Sequence, residues 1–534
     1  MDVENRFPKM IFTDDGWMLS EKTKITYADI ENYIVDSFAG LDGAYGWSIG
    51  DHEVYHYETK IGERFGTGYT EFNEELDSFV HKKTPGVVRN IINNVNTLTE
   101  NYGGPLTVIS KICREHDVPF YPRIRMNSHY PIDFEHVGHG NFRREHPEWL
   151  IGKPNENIPE GTLAYGIRTG KNYAVPEVCS YMVEIICETF ERFEVDGIEL
   201  DFCRHPAFFR LGEERSNAIL ITGLISQIQT RLRIRENEIK RKLKLAVRVP
   251  PTVKDAIRIG LDVDEWIQSG LVDIVTVGIG FVPFDTPADE FVKLAENQQC
   301  AIYGCLEATA YADPLVLRAA AHGWLNSGAT GVYLYNFYTM SPHWHNQTYK
   351  ELTNRRFLQK SDKKYVLGMS TEPGPDSTIG WTFHHASPRT QLPLKIEDES
   401  NKKPSKISIE ISDDLGDSDV IENLDSVHLA IRLENLEQKD EITLNVNGKA
   451  LGVMIPEQAV MEWAHVSVED LFWIKYPAKL NSTVLSGKLL VFQNMKETVR
   501  KGINEIEFTV NRVNDSATPA IIVGVELKML YRKQ

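Results

Sequence analysis

Residues 195–209 read VDGIELDFCRHPAFF, and the placement of their two acids decides the fold. On a strand, successive side chains point to opposite faces. Gly197, Glu199 and Asp201 then share one face, and Ile198, Leu200 and Phe202 share the other. In a closed parallel barrel the apolar row packs on the surrounding helices and the first row points inward. Asp201 then lies at the carboxyl end of its strand, where barrels of this kind carry their chemistry. Glu199 lies one layer deeper and needs a partner, because an unpaired buried carboxylate costs several kcal/mol or takes up a proton.

Working outward, the same alternation supplies partners. In YPRIRMN, Tyr121, Arg123, Arg125 and Asn127 share a face, and in LKLAVRV, Lys244, Ala246 and Arg248 do. Arg123, Arg125 or Arg248 can therefore pair with Glu199 and Asp201 inside a barrel. AIYGCLE aligns Tyr303, Cys305 and Glu307, with Glu307 at the strand end, and GVYLYNFY aligns Val332, Leu334, Asn336 and Tyr338. PKMIFTDDGW reads as a strand ending at Asp14 and Asp15, GAYGWSIGDH as a weaker one, and VDIVTVGIG as another. Helical patterns separate most of these strands. VPEVCSYMVEIICETFERF, for instance, has apolar positions three and four residues apart. The alternation predicts an α/β fold, a (β/α)8 TIM barrel. A doubly wound open sheet is the rival, but no GxGxxG or Walker loop follows any strand. Residues 128–172 are too long for an ordinary strand-to-helix loop. Long insertions at that end of a barrel shape binding sites.

The pattern changes after residue 365. A linker or irregular segment is expected over 366–389, where STEPGPDSTIG falls. From residue 390, SVHLAIRLEN, EITLNVNGKAL, NEIEFTVNRV and AIIVGVELKMLYR alternate with turns, and the Asn-Gly pair of NVNGKAL is a hairpin signal. The expected organisation is a barrel over 1–365 and an all-β sandwich accessory domain over 390–534.

At 534 residues the chain exceeds one ordinary core, in keeping with that division. Its net charge of -18 argues against nucleic acid or an anionic membrane as a partner. No apolar run reaches the roughly 18 residues of a membrane span. MDVENRFPKM lacks the basic region and apolar core of a signal peptide. As it stands the sequence is expected in the cytoplasm, or in the periplasm or outside the cell if a leader has been removed. The six cysteines form no CxxC pair, which disfavours a disulfide scaffold or structural zinc. The histidines of HVGHG and HWH do not match a metal spacing with a carboxylate partner. Neither metal nor cofactor is expected.

Two facing carboxylates are what glycoside hydrolysis requires. Asp201 and Glu307, on the fourth and seventh strands, are the expected pair, with Asp201 as nucleophile or base, Glu307 as general acid, and retention of configuration. Asp14, Asp15, Trp47, Arg123, Arg125, Asn127, His129, Glu199, Arg204, His205, Arg248, Asn336 and Tyr338 are the expected substrate-binding residues. The partner is a carbohydrate, and if it is anionic the arginines hold its carboxylate or sulfate. Plainer readings compete. The acids could only neutralise interior arginines, Asp14 and Asp15 could only form a turn, and the aromatics could only be core. Two alternatives remain: a non-catalytic carbohydrate-binding barrel, and a lyase or metal-dependent hydrolase on the same barrel.

VDGIELDFCRHP, with REHPEWL upstream and GVYLYNFY downstream, resembles the bacterial glycoside-hydrolase-like barrel proteins. These carry a DGIxLDxxRxP segment on the fourth strand and HPEWL before it. The likeness covers roughly residues 5–345. It implies a TIM barrel and a carbohydrate substrate. Asp201 matches the family's strand-end aspartate, and Arg204 and His205 its following polar cluster. Asp196, Gly197, Glu199 and Asp201 are also similar to the chitinase DGxDxDxE motif, but the chitinase acid falls at Cys203, which argues against that chemistry.

Overall fold

The computed structural model describes residues 7–532 apart from 17, 39, 52, 68–85, 130–139, 279–286, 308–312, 336–341, 368–390, 397–403, 436–440, 455–487, 494 and 512–518. Eight strands form a closed barrel in sequence order. They are β1 (Met10–Asp14), β2 (Gly43–Ser48), β3 (Phe120–Arg125), β4 (Gly197–Asp201), β5 (Lys244–Val249), β6 (Ile274–Val277), β7 (Ala301–Glu307) and β8 (Gly331–Tyr335). Every neighbouring pair is parallel, and β8 pairs with β1 to close the ring. The TIM-barrel expectation therefore holds.

The barrel closes because one face of each strand finds helices and the other finds its own interior. Ile198 and Leu200 of β4 join the large core shared with helices such as Pro176–Arg192, whose Val178, Met182, Ile185 and Ile186 form the buried stripe. A separate interior core holds Ile11, Ala44, Tyr121, Ala246, Ile274, Ala301, Tyr303, Cys305, Tyr333 and Tyr335. This assignment corrects the reading of β8. Tyr333 and Tyr335 face inward, whereas Val332 and Leu334 belong to the helix-side core. The expected site residues Asn336 and Tyr338 lie outside the described residues.

Between β2 and β3, the two-residue strands Gly50–Asp51, Val54–Tyr55 and Glu63–Arg64 make a small separate sheet. Beyond the barrel, two antiparallel sheets share one apolar core, which is the expected sandwich. One sheet orders Lys363–Val366, Ile521–Tyr531, Leu424–Glu434 and Lys488–Phe492, with Leu394–Lys395 also on Ile521–Tyr531. The other orders Ser405–Ile411, Gly502–Asn511, Glu441–Val446 and Lys449–Met454. Asn447 and Gly448 turn the last hairpin with φ of 52° and 80°, the conformation for which Asn-Gly is suited. The strand Lys363–Val366 belongs to this sheet through its pairing with Ile521–Tyr531.

The barrel helix Pro314–Ser327 meets the sandwich. Its Ala319 is part of the sandwich core, and its His322 Nδ1 lies 2.9 Å from Ser412 Oγ. Beneath this contact Asp413 is fully buried. It accepts from the hydroxyls of Tyr365 and Tyr531 and pairs with Lys363 Nζ at 3.0 Å.

Candidate active site at the carboxyl end of the barrel

Strand register builds the site. Arg123 lies opposite Glu199, Arg125 opposite Asp201, and Asp201 opposite Arg248. The alternation expected for β3, β4 and β5 thus brings two acids and three arginines together. Arg248 grips Asp201 with two nitrogens, Nε to Oδ1 at 2.9 Å and Nη2 to Oδ2 at 3.0 Å. Arg123 Nη1 adds a bond to Oδ2 at 3.2 Å. The amides of Cys203 and Arg204 donate to Oδ1 at 3.0 and 3.2 Å, because the chain turns sharply after β4. Burial alone would raise the Asp201 pKa, but Arg248 and Arg123 overcome it and hold the carboxyl well below the usual range.

Asp201 is therefore ionised, as a nucleophile must be. It is also 0% exposed, with both oxygens taken by guanidinium and amide donors. That differs from the expected free nucleophile or base. As found, Asp201 anchors the arginines.

Glu199 sits below, also fully buried, and does not pair with an arginine as expected. Its Oε1 accepts from the Tyr333 hydroxyl at 2.6 Å, and its Oε2 has no hydrogen-bond partner among the described residues. Burial, opposed by the charge of Arg123, raises its pKa to about 7. Tyr335 completes the floor. The Arg248 and Arg123 guanidinium carbons lie 4.1 and 4.9 Å from its ring centre, within cation–π range. Tyr333 and Tyr335 are site residues that the sequence reading missed.

Asp15, just past β1, joins the network. It accepts from Arg123 Nη2 and, at 2.7 Å, from Arg125 Nη2. Asp14 does not. Its Oδ1 accepts from the Gly16 amide at 2.7 Å in the turn that Gly16 makes with φ of 86°, and its Oδ2 accepts from the Tyr45 hydroxyl at 3.4 Å. Trp47 is fully buried in the helix-side core beside Tyr45 and offers no face for a sugar ring. Glu307 is the last residue of β7, opposite Tyr335, and its side chain lies outside the described residues.

The polar residues beyond β3 and β4 mainly hold loops. Asn127 Nδ2 donates to the carbonyls of Lys171 and Ala207 at 2.9 and 2.6 Å, and its Oδ1 accepts from the Lys171 amide at 2.8 Å. This ties three segments together and leaves Asn127 committed to structure rather than to a pocket. His129 Nε2 lies 3.1 Å from the Ala207 carbonyl oxygen, and its amide donates to His205 Nδ1 at 3.2 Å. His205 has a left-handed φ of 60°. Its burial, then the nearby His129, Arg204 and Arg125, hold its pKa well below the ordinary value, so the ring is neutral. Arg204 is buried beside it. A second buried ion cluster, unforeseen from the sequence, joins Glu53 to Arg143 at 3.2 Å and to Lys171. It fastens the long insertion after β3 to the loop after β2.

No protein-family model matches the sequence, and no curated protein matches it. Among solved structures, the chain is similar to a cycloisomaltooligosaccharide glucanotransferase of Paenibacillus sp. crystallised with cycloisomaltoheptaose, at 10% identity and a TM-score of 0.34. That match covers 98% of this chain and 57% of the other. An α-L-fucosidase isoenzyme 2 of Paenibacillus thiaminolyticus matches at 12% identity and a TM-score of 0.37, over 66% of this chain and 49% of its own. An α-amylase of Geobacillus thermoleovorans in complex with acarbose matches at 10% identity and a TM-score of 0.35, over 95% and 99%. The chain thus spans about half the length of the first two. These likenesses are to glycoside-active proteins, but at this level they carry no argument about chemistry.

Proposed function

We propose that the chain is a glycoside hydrolase whose substrate carries an anionic group. The observation that supports this is where the interior charge lies. Arg123, Arg125, Arg248, Asp15 and Asp201 gather at the carboxyl end of the barrel, with Glu199 the buried acid below them and an apolar and aromatic interior core beneath. Guanidinium groups are suited to carboxylate or sulfate. In this reading Glu307 protonates the leaving oxygen. Asp201, fixed as an anion, stabilises the positive charge that builds at the anomeric carbon. Attack by an Asp201 oxygen, the retaining route, requires Arg248 to release it. The likeness of VDGIELDFCRHP to the glycoside-hydrolase-like barrels agrees with this assignment.

One observation favours a second reading. Both oxygens of Asp201 are taken by donors of the protein itself, which suits a carbohydrate-binding barrel that performs no chemistry. A panel of aryl glycosides and of neutral, uronic and sulfated polysaccharides separates the two. Hydrolysis that falls by about 10²–10⁴-fold in Glu307→Gln on poor leaving groups, and much less on good ones, supports the enzyme. Saturable binding of an anionic polysaccharide without turnover of any substrate refutes the enzyme and leaves the binding protein.

A further inference from the structure

The end of the barrel opposite the charged mouth holds a second recess, bordered by basic side chains and independent of the function proposed above. Lys9 leads into β1 and Thr330 into β8, while Thr353 and Asn354 join the helix Pro342–Leu352 to the helix Arg355–Gln359, which opens with Arg355 and Arg356. Together with Leu325 they border an open cleft of about 600 Å³, whose polar lining is Lys9, Thr330, Thr353, Asn354, Arg355 and Arg356. Lys9, Arg355 and Arg356 are exposed, and among the described residues none of the three side chains makes an ion pair or hydrogen bond. Carboxylates on flanking segments are already engaged. Glu351 pairs with Arg318 at 2.8 Å, and Asp419 with Lys360 at 2.5 Å.

The neutral groups of the cleft add donors. Thr330 Oγ1 accepts from the Ile302 amide at 3.3 Å, which leaves its own proton to donate. Asn354 Oδ1 accepts from the Phe357 amide at 3.1 Å, which leaves its NH₂ group to donate. Three cations and two neutral donors therefore line one recess without an acid, on a chain whose net charge is -18. Such a local inversion of field concentrates anions. Guanidinium forks match the oxygens of phosphate or sulfate.

We propose that this cleft binds a small tetrahedral oxyanion, phosphate or sulfate, either free or as the charged head of a larger metabolite. Its volume lies within the range of small-molecule sites, about 300–1,000 Å³, so an ester leaves less of it empty than the free ion does.

The test is titration calorimetry at fixed low ionic strength on the full chain, using inorganic phosphate, sulfate and glucose 6-phosphate as probes. The expected result is saturable binding of one anion per chain, weakened about tenfold or more in Arg355→Ala/Arg356→Ala. Both arginines are exposed and unpaired, so the double variant keeps its melting temperature and any hydrolytic activity. Tighter binding of the phosphate ester than of the free ions identifies an esterified ligand, and equal binding identifies the free ion. The proposal is overturned if no probe saturates up to tens of millimolar. It is overturned equally if the double variant binds as tightly as the wild type, since the ion then sits elsewhere, with the mouth arginines the first place to look.

Discussion

Replacing Asp201 by Asn tests whether this carboxylate is the anchor of the mouth. Asparagine keeps the shape and one acceptor oxygen. It sets an N–H₂ group against guanidinium donors where Oδ1 and Oδ2 now accept from Arg248 and Arg123. All three side chains are 0% exposed, so solvent cannot compensate. Breaking a buried pair from one side costs about 3–5 kcal/mol. The pH dependence follows from the depressed pKa of Asp201. A carboxyl whose folded pKa is lowered stabilises the fold above its unfolded value, roughly 3.9, and loses that contribution as pH falls toward the folded value. Denaturant titration of the barrel transition should therefore show a constant gap between wild type and variant from neutral pH down to weak acid. The gap should shrink only in strong acid. Adding Arg248→Gln to Asp201→Asn should cost less than the sum of the two single changes, by about 0.5–3 kcal/mol. A loss under about 1 kcal/mol for Asp201→Asn would show that the pair does not hold the mouth together, since that is the worth of an exposed pair.

Three further outcomes are expected. Glu199, raised from 4.5 to about 7, binds its proton more tightly in the folded state, so stability should fall by about 3 kcal/mol as pH rises across that interval. Glu199→Gln cannot titrate, and a slope that persists in the variant would refute the assignment. In Gly197→Ala, the new Cβ meets the Lys244 carbonyl oxygen at 2.2 Å, and a main-chain atom cannot swing away. A loss of at least about 1–3 kcal/mol is expected, and wild-type stability would contradict the β4–β5 register. Lys363→Met removes the ammonium 3.0 Å from buried Asp413 and should destabilise the sandwich by about 3–5 kcal/mol, read by its unfolding midpoint. An unchanged midpoint would mean that the Tyr365 and Tyr531 hydroxyls suffice for Asp413.

What the sequence disclosed depended on contrast within each strand. In RIR and ELD a charged residue at every second position marks the interior face, in AVRV Arg248 alone does, and the register confirms it. GVYLY has no such marker, since every side chain after the glycine is apolar or aromatic. Its inward face is set by Tyr333 finding Glu199, a partner 134 positions away, and no local pattern carries that information. Trp47 misled for a related reason. In GAYGWS the glycines sit beside large rings, and only the packed barrel reveals that Tyr45 and Trp47 face the helices. The Glu53, Arg143 and Lys171 cluster was hidden because its members come from two separate connections and, in the longer one, from positions 28 residues apart, each unremarkable alone.

Two of the buried ion networks among the described residues invite the same explanation and do not deserve it. At the base of the sandwich, Asp413 meets Lys363 and two tyrosine hydroxyls, with His322 3.8 Å away, in the join between barrel helix and sheet. One acid faces one ammonium and the donors are consumed, which is what a structural lock requires. The barrel mouth is balanced differently. Three guanidinium groups, Arg123, Arg125 and Arg248, meet the carboxylates of Asp15 and Asp201 among the described side chains. The third acid, Glu199, is near its titration point at neutral pH. A barrel does not need these charges to close, since its lower layers close with Ile11, Ala44, Ala246 and Ile274. Replacing buried ion pairs by apolar side chains is often neutral or stabilising, so stability alone does not account for keeping them. They sit at the end of the barrel where strands hand over to loops, which is where barrels of this kind carry binding and chemistry.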